Sequence, residues 1–208
     1  MSGFNIDTFK SAIGKKGLLR DNQFECVIQI PTFLQNTLGN FSHVKELRFW
    51  CESAEIPGVQ LATHEIRRYG YGPFERKPYS ANFTQSRVVL LGDAEGKNWD
   101  LFQKWIQYIH NFDFANKGAN GGVGLGGSRI FETNYLHGST GYTTSITITV
   151  YDNTGIERVK VKLIDAYPTF LDSIRLNWSN NNSIMRIPVT FTFFTWTNEI
   201  TNLINQTP

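Results

Sequence analysis

The chain has 208 residues and a formal net charge of +2, enough for one well-cored domain and too near neutrality to imply a polyanion partner. Charged residues are 18% and aromatics 14%, a balance that suits either surface buried against copies of itself or an aromatic-rich β core. No run of about 18 apolar residues exists, so no membrane-spanning helix is predicted, and "MSGFNIDTFKSAIGKKG" lacks the apolar stretch and cleavage site of a secretion signal.

Residues 5–13, "NIDTFKSAI", predict a short helix with Asp7 as N-cap and Ile6, Phe9 and Ile13 on one face. "FECVIQI" then sets Phe24, Cys26, Ile28 and Ile30 against Glu25 and Gln29, the period-two pattern of a half-buried strand. "HVKELRFWCESAEI" reads as a second strand, stopped by Pro57 and Gly58. Cys26 and Cys51, the only cysteines, fall in these two segments and are expected as buried free thiols rather than a disulfide. Two extended segments follow, "VQLATHEIRRYGYG" and "YSANFTQSRVVLLG", overlapping a polar and aromatic loop, "GYGPFERKP".

"NWDLFQKWIQYIHN" predicts one amphipathic helix. Its stripe is Trp99, Phe102, Trp105, Ile106 and Ile109, with Asn98 as N-cap and Asp100 in the first turn. Next comes "KGANGGVGLGGS", in which Gly122, Gly124 and Gly127 match G-x-G-x-x-G. That spacing cradles a pyrophosphate only between a buried strand and a helix N-terminus. Here a helix precedes it and "RIFETNYLHGSTGY" follows, so the run is a loop and nucleotide binding is not expected.

The last third alternates most regularly. "TTSITITVY" and "IERVKVKLI", joined by "DNTG", predict a hairpin with Ile146, Ile148, Val150, Val159, Val161 and Leu163 on its apolar face. "DSIRLNWS" groups Ile174, Leu176 and Trp178, and "MRIPVTFTFFTW" predicts a last strand. That strand places Ile187, Val189, Phe191 and Phe193 on one face and leaves Phe194 and Trp196 on the other, so both faces need cover. Pro188 fits only an edge or a strand start. Seven or eight strands and one helix without repeats predict a mainly β fold, a two-sheet antiparallel β-sandwich or barrel with one flanking α-helix.

No catalytic, metal or cofactor site is predicted. His43, His64, His110 and His137 share no ligand spacing, "GSTG" lacks the nucleophile-elbow pattern, and "LGDAEGKN" misses the P-loop spacing. Asp93 and Glu95 are read as turn and helix-approach residues. Arg67, Arg68, Arg76 and Lys77, interleaved with Tyr69, Tyr71 and Phe74, have the chemistry of single-stranded nucleic-acid contact and equally of a protein interface. Glu65 and Glu75 dilute the charge and favour the protein interface. A monomeric β-sandwich binding carbohydrate on rings such as Trp178 and Trp196 is the reading from a different class.

Several marks occur together in order: Cys51 to Gly58, Phe102 and Trp105 in the helix, Pro168, then Leu176, Asn177 and Trp178, the turn 180–182, and the Thr- and ring-rich strand from Thr190 to Trp196. This order resembles the tail tube protein family of contractile-tailed bacteriophages, over roughly residues 20–197. The resemblance implies a single tail-tube domain, 1–208, in which the N-terminal arm (1–20) and the glycine-rich insert (115–140) are longer than the family pattern needs and 197–208 is a C-terminal tail. It also implies stacked hexameric rings, hairpins joined into a lumen wall, and genomic DNA passing without specific binding. Tail sheath, tail terminator and baseplate or tube-initiator proteins are the implied partners, and the virion tail the implied location. A tube initiator and the tube of a phage-derived injection device share the pattern. The expected subunit contacts are Arg67, Arg68, Tyr69, Tyr71, Phe74, Arg76, Lys77, Phe194 and Trp196, with the four cations facing protein or the outside rather than the bore.

Overall fold

The computed structural model describes residues 6–7, 10–11, 14, 17–38, 46–67, 70, 72–112, 133–135, 141–179 and 183–199. The predicted N-terminal helix lies largely outside them, as do the glycine-rich run 117–128 and the tail beyond 199. In chain order the elements are β1 (Phe24–Ile28), α1 (Thr32–Leu38), a 3-10 turn at Leu47–Phe49, β2 (Cys51–Ala54), β3 (Val59–Ile66), β4 (Glu75–Phe83) and β5 (Ser86–Leu91). There follow α2 (Lys97–Ile109), β6 (Thr144–Tyr151), β7 (Glu157–Leu171), β8 (Arg186–Thr192) and β9 (Thr195–Asn198).

Seven strands run antiparallel in the order β1-β6-β7-β8-β5-β2, with β9 on the other side of the first half of β7. The fold turns on β7. Its first half pairs with β6 and β9, and its second half, from Tyr167, pairs with β8. Between the halves Asp165 has a φ of 53° and the register with β6 shifts, the mark of a bulge that bends a strand from one sheet into the next. The two halves close over one core. Cys26, Ile28, Ile146, Ile148, Val161 and Leu163 come from one, and Val88, Leu90, Ile187, Val189 and Phe191 from the other. The predicted β-sandwich with a flanking helix is therefore the observed fold.

The helix α2 covers this core through Leu101, Phe102, Trp105 and Tyr108. Of the predicted stripe Phe102 and Trp105 are fully buried and Ile109 packs partly on the core, while Leu101 and Tyr108 were not in it. Phe102 and Trp105 meet Phe191 edge-on at 6.1 and 6.2 Å, and Trp105 Nε1 donates to Tyr142 O at 2.8 Å. Trp99 is turned outward. The cap also differs from expectation: Asp93, not Asn98, accepts from the amides of Lys97 and Asn98 at 3.0 and 2.9 Å. Asn98 is buried in the first turn and donates to Leu91 O. Asp93 thus has the helix-approach role read from sequence.

Four further predictions need correction. The segment 46–49 is not strand: a helical turn there leaves Phe49 exposed, and β2 begins only at Cys51. Cys51 is half-buried rather than buried. Ile174, Leu176 and Trp178 do not group: residues 172–177 form no strand, Ile174 packs partly on the core, and Leu176 and Trp178 stand exposed in a loop. The last strand is two strands, because the chain bends at Phe193 and Phe194 and passes from its place between β5 and the second half of β7 to the edge of the first half of β7. The sequence reading also missed α1, which begins one residue after Pro31 and stacks Phe33 on Tyr108. Pro188 sits near the start of β8, just beyond the last pairing of β7, where its carbonyl accepts from Asp172.

Candidate assembly interface

The ribbon formed by β2 and β5 does not stop at Pro57. It continues as the β3–β4 hairpin, which pairs with nothing else among the described residues. The joint is hydrogen-bonded. Gly58 N donates to Thr84 Oγ1 at 2.7 Å, Thr84 N to Gly58 O at 3.1 Å, and Ser86 Oγ to Glu55 O at 2.7 Å. Pro57, lacking an N–H, marks the break in the ladder. At the base, the Phe83 ring lies 6.0 Å from Phe193 of the sandwich.

Beyond that joint both strands lie open to solvent on nearly every residue. Val59, Leu61, Phe74, Tyr79 and Phe83 are all exposed apolar or aromatic side chains. Each strand also has one edge whose amides and carbonyls lack a strand partner among the described residues. An isolated two-stranded ribbon is marginal in water, so this one requires a neighbour along its edges and over one face.

Register assigns the faces. Directly opposed residues share a face, and β3 alternates without interruption. β4 has one residue more, nine against eight, and the shift between Ala62 and Thr63 makes Tyr79 the extra one. One face carries Val59 with Phe83 and Leu61 with Ala81, then Thr63 with Pro78 and Glu65 with Arg76. The other carries Gln60 with Asn82, Ala62 with Ser80, His64 with Lys77 and Ile66 with Glu75. The Tyr79 ring, 5.6 Å from His64, belongs to this second face.

The expected contact residues fall into three groups. Arg67, Phe74, Arg76 and Lys77 come together at the hairpin's outer half. Here Arg67 lies over the Phe74 ring at 4.0 Å, and Arg76 donates twice to Glu65 Oε1, at 3.1 and 3.0 Å. Lys77 Nζ stands 3.9 Å from Glu75 Oε1. The described cations of this cluster are therefore paired or stacked. Arg68, Tyr69 and Tyr71 lie outside the described residues. Phe194 and Trp196 sit apart from the hairpin cluster. Phe194 is exposed at the bend, whereas Trp196 lies in β9 opposite Leu163 and packs on the core.

Sequence reasoning passed over Val59, Leu61, Tyr79, Ala81 and Phe83, whose alternation along "VQL" and "YSANF" was the available signal. It also missed the apolar cleft of Trp99, Leu171, Ile174 and Met185, about 570 Å³, beside the exposed Leu176.

Among the described residues no group of three or more His, Cys, Asp or Glu is placed to hold a metal, and no helix is long and apolar enough to cross a membrane. The paired thiols titrate away from their ordinary range. Their mutual hydrogen bond, with burial, holds Cys26 well above the ordinary thiol range, and the same bond lowers Cys51.

The fold is a bulge-bent β-sandwich with a flanking helix and a hairpin that is unpartnered among the described residues, an architecture that suits a structural protein. The sequence matches the family model described as phage tail tube protein over residues 19–199, and the chain belongs to that family. It is a structural component of a tail tube and not an enzyme. The fold is similar to a chain in the cryo-EM structure of the anti-feeding prophage baseplate, 6-fold symmetrised, at 7% identity and a TM-score of 0.58, covering 90% of this chain and 99% of that one. It is similar also to a chain of the sheath–tube complex, in its extended state, of an extracellular contractile injection system, PVC. There the identity is 13% and the TM-score 0.51, over 95% and 99% of the two chains. A chain of the anti-feeding prophage tube-terminating cap gives 15%, 0.52, and 89% and 93%. No curated protein matches by sequence.

Proposed function

We propose that this chain is the repeating subunit of the inner tube of a contractile phage tail. Six copies close a ring, and the β3 edge of one hairpin pairs with the β4 edge of the next to form a continuous wall around a bore. The observation that carries this reading is the hairpin itself: two edges without a strand partner among the described residues and an exposed apolar face, joined to a sandwich by an ordered base. A head-to-tail contact that closes on itself removes every free edge of the wall at once. The 6-fold symmetrised baseplate that contains a similar chain supports a ring of six.

Rings stack into a tube, and genomic DNA passes through it without specific binding. The tail sheath, the terminator and the baseplate or tube initiator are the other partners, a set supported by the sheath–tube, cap and baseplate assemblies that hold chains of this fold. Those same assemblies favour one second reading, the tube of a phage-derived injection device. Arg67, Phe74, Arg76 and Phe194 contact the neighbouring subunit, the arginines with their charge already balanced or stacked. Arg68, Tyr69 and Tyr71 join them.

Sedimentation of the purified chain across a concentration series, with electron microscopy of the same samples, tests the reading. Rings or tubes with sixfold end views are expected. A compact single copy at every concentration contradicts it.

A further inference from the structure

We infer that the hairpin's two faces have separate duties: the face of Val59, Leu61, Ala81 and Phe83 packs outward onto a neighbouring copy, and the face of Gln60, Ser80 and Asn82 lines the bore. The inference rests on the ring reading above and adds its orientation.

Three observations carry it. The first is composition. Across the first face the pairs nearest the base are Val59 with Phe83 and Leu61 with Ala81, so the ribbon is dry there on one side only. Val59 is 48% and Leu61 59% exposed, apolar area that gains from cover. The second is direction. Phe83, on that same face, already meets Phe193 of its own sandwich, so the dry face turns toward the layer of sandwiches and the opposite face turns away from it. The third is charge. The opposite face carries amides, a hydroxyl and Ala62 near the base, then His64 with the Tyr79 ring and Ile66 farther out, and its Lys77 has Glu75 at 3.9 Å beside it. With His64 neutral the described charges on that face cancel.

A wall of this kind suits a polyanion in transit. Each phosphate neutralised by a lumenal cation would release counterions and add salt-dependent affinity, which slows passage. Amides and hydroxyls stay hydrated, and the Lys77–Glu75 pair leaves no net charge on the face. Lys77, expected from sequence to meet protein, is thereby assigned to the bore with its charge balanced. Arg76 shares the outward face, tied to Glu65.

Single cysteines test the division in a Cys51→Ser background, Cys26 being buried. Gln60→Cys and Asn82→Cys probe one face, Val59→Cys and Leu61→Cys the other. Each variant is treated with a small maleimide and with one carried on a long polyethylene glycol chain, before and after assembly. After assembly the first pair should keep its reactivity toward the small reagent and lose it toward the polymer. The second pair should be slowed by about tenfold or more toward both, the protection given by a contact of roughly 1.4 kcal/mol. Failure of both outward-face variants to assemble, while both bore variants do, also supports the division. The reverse pattern, or equal labelling of all four in tubes, overturns it and leaves the ring standing. A parent chain that forms no rings removes the ring reading and this inference together.

Discussion

Leu61→Ala isolates the assembly contact from the fold. Leu61 is 59% exposed in the single chain, so truncating it removes little that the monomer has buried. Covering a whole leucine contributes about 1.5–3 kcal/mol, and the exposed share here corresponds to about 1–2 kcal/mol per subunit contact. At about 1.4 kcal/mol per factor of ten, the concentration for half-assembly should rise roughly 5–30-fold. Sedimentation velocity across a dilution series reads that midpoint. Thermal melting at a concentration below assembly supplies the control and should shift by no more than about 0.5 kcal/mol, as for an ordinary surface position. Leu61→Asp, which would place a carboxylate in the contact, should abolish assembly while the monomer still melts cooperatively. An unchanged midpoint for Leu61→Ala, or a loss of monomer stability as large as the loss of assembly, would refute the reasoning.

Three further outcomes follow from the monomer. Phe191→Ala removes a fully buried ring that Phe102 and Trp105 meet edge-on, and should destabilise the isolated chain by about 3–5 kcal/mol in denaturant titration. Asp152 is held well below the usual carboxylate range, first by the Thr154 hydroxyl and then by Arg158 and the amides of Ile156 and Thr154. A depressed folded-state value means that its stabilisation is full above the ordinary carboxylate pKa and is lost as pH falls below it. Asp152→Asn should therefore lower the melting temperature at pH 7 and make progressively less difference below about pH 4. With a thiol-specific reagent at neutral pH, Cys51 should be modified first and Cys26 only on unfolding, since the bond between them lowers Cys51 and raises the buried Cys26. Simultaneous modification of both in the native chain would contradict that assignment.

The frame was legible where one face of a strand is dry and the other wet. Ile146, Ile148, Val161 and Leu163 declare their side by alternation, and that alternation survives in the core. Legibility failed where a break in direction leaves no compositional mark. Asp165 bends β7 through a left-handed backbone that only its φ reveals, and the turn at Phe193 and Phe194 hides inside a run of strand-forming residues. The helix stripe was half right: Phe102 and Trp105 cover the core as expected, but Trp99, large and apolar, faces outward, and Leu101 and Tyr108 complete the cover. At the hairpin the basic and aromatic residues near the tip drew attention from sequence, but the described ones, Arg67, Phe74, Arg76 and Lys77, are paired or stacked within the chain. The unsatisfied apolar side chains, Val59, Leu61 and Phe83, lie nearer the base. Their alternation looks like that of any half-buried strand, and only the structure shows that among the described residues Val59 and Leu61 stay about half exposed while Phe83 meets Phe193.

A cryo-EM reconstruction of the assembled protein tests the central claim most directly, because it shows what lies beside each free strand edge. The expected map has the β3 edge of every copy hydrogen-bonded to the β4 edge of the next, six hairpins closing one wall around an open bore. Hairpins that stand apart, or that fold back to pair within their own chain, would contradict it.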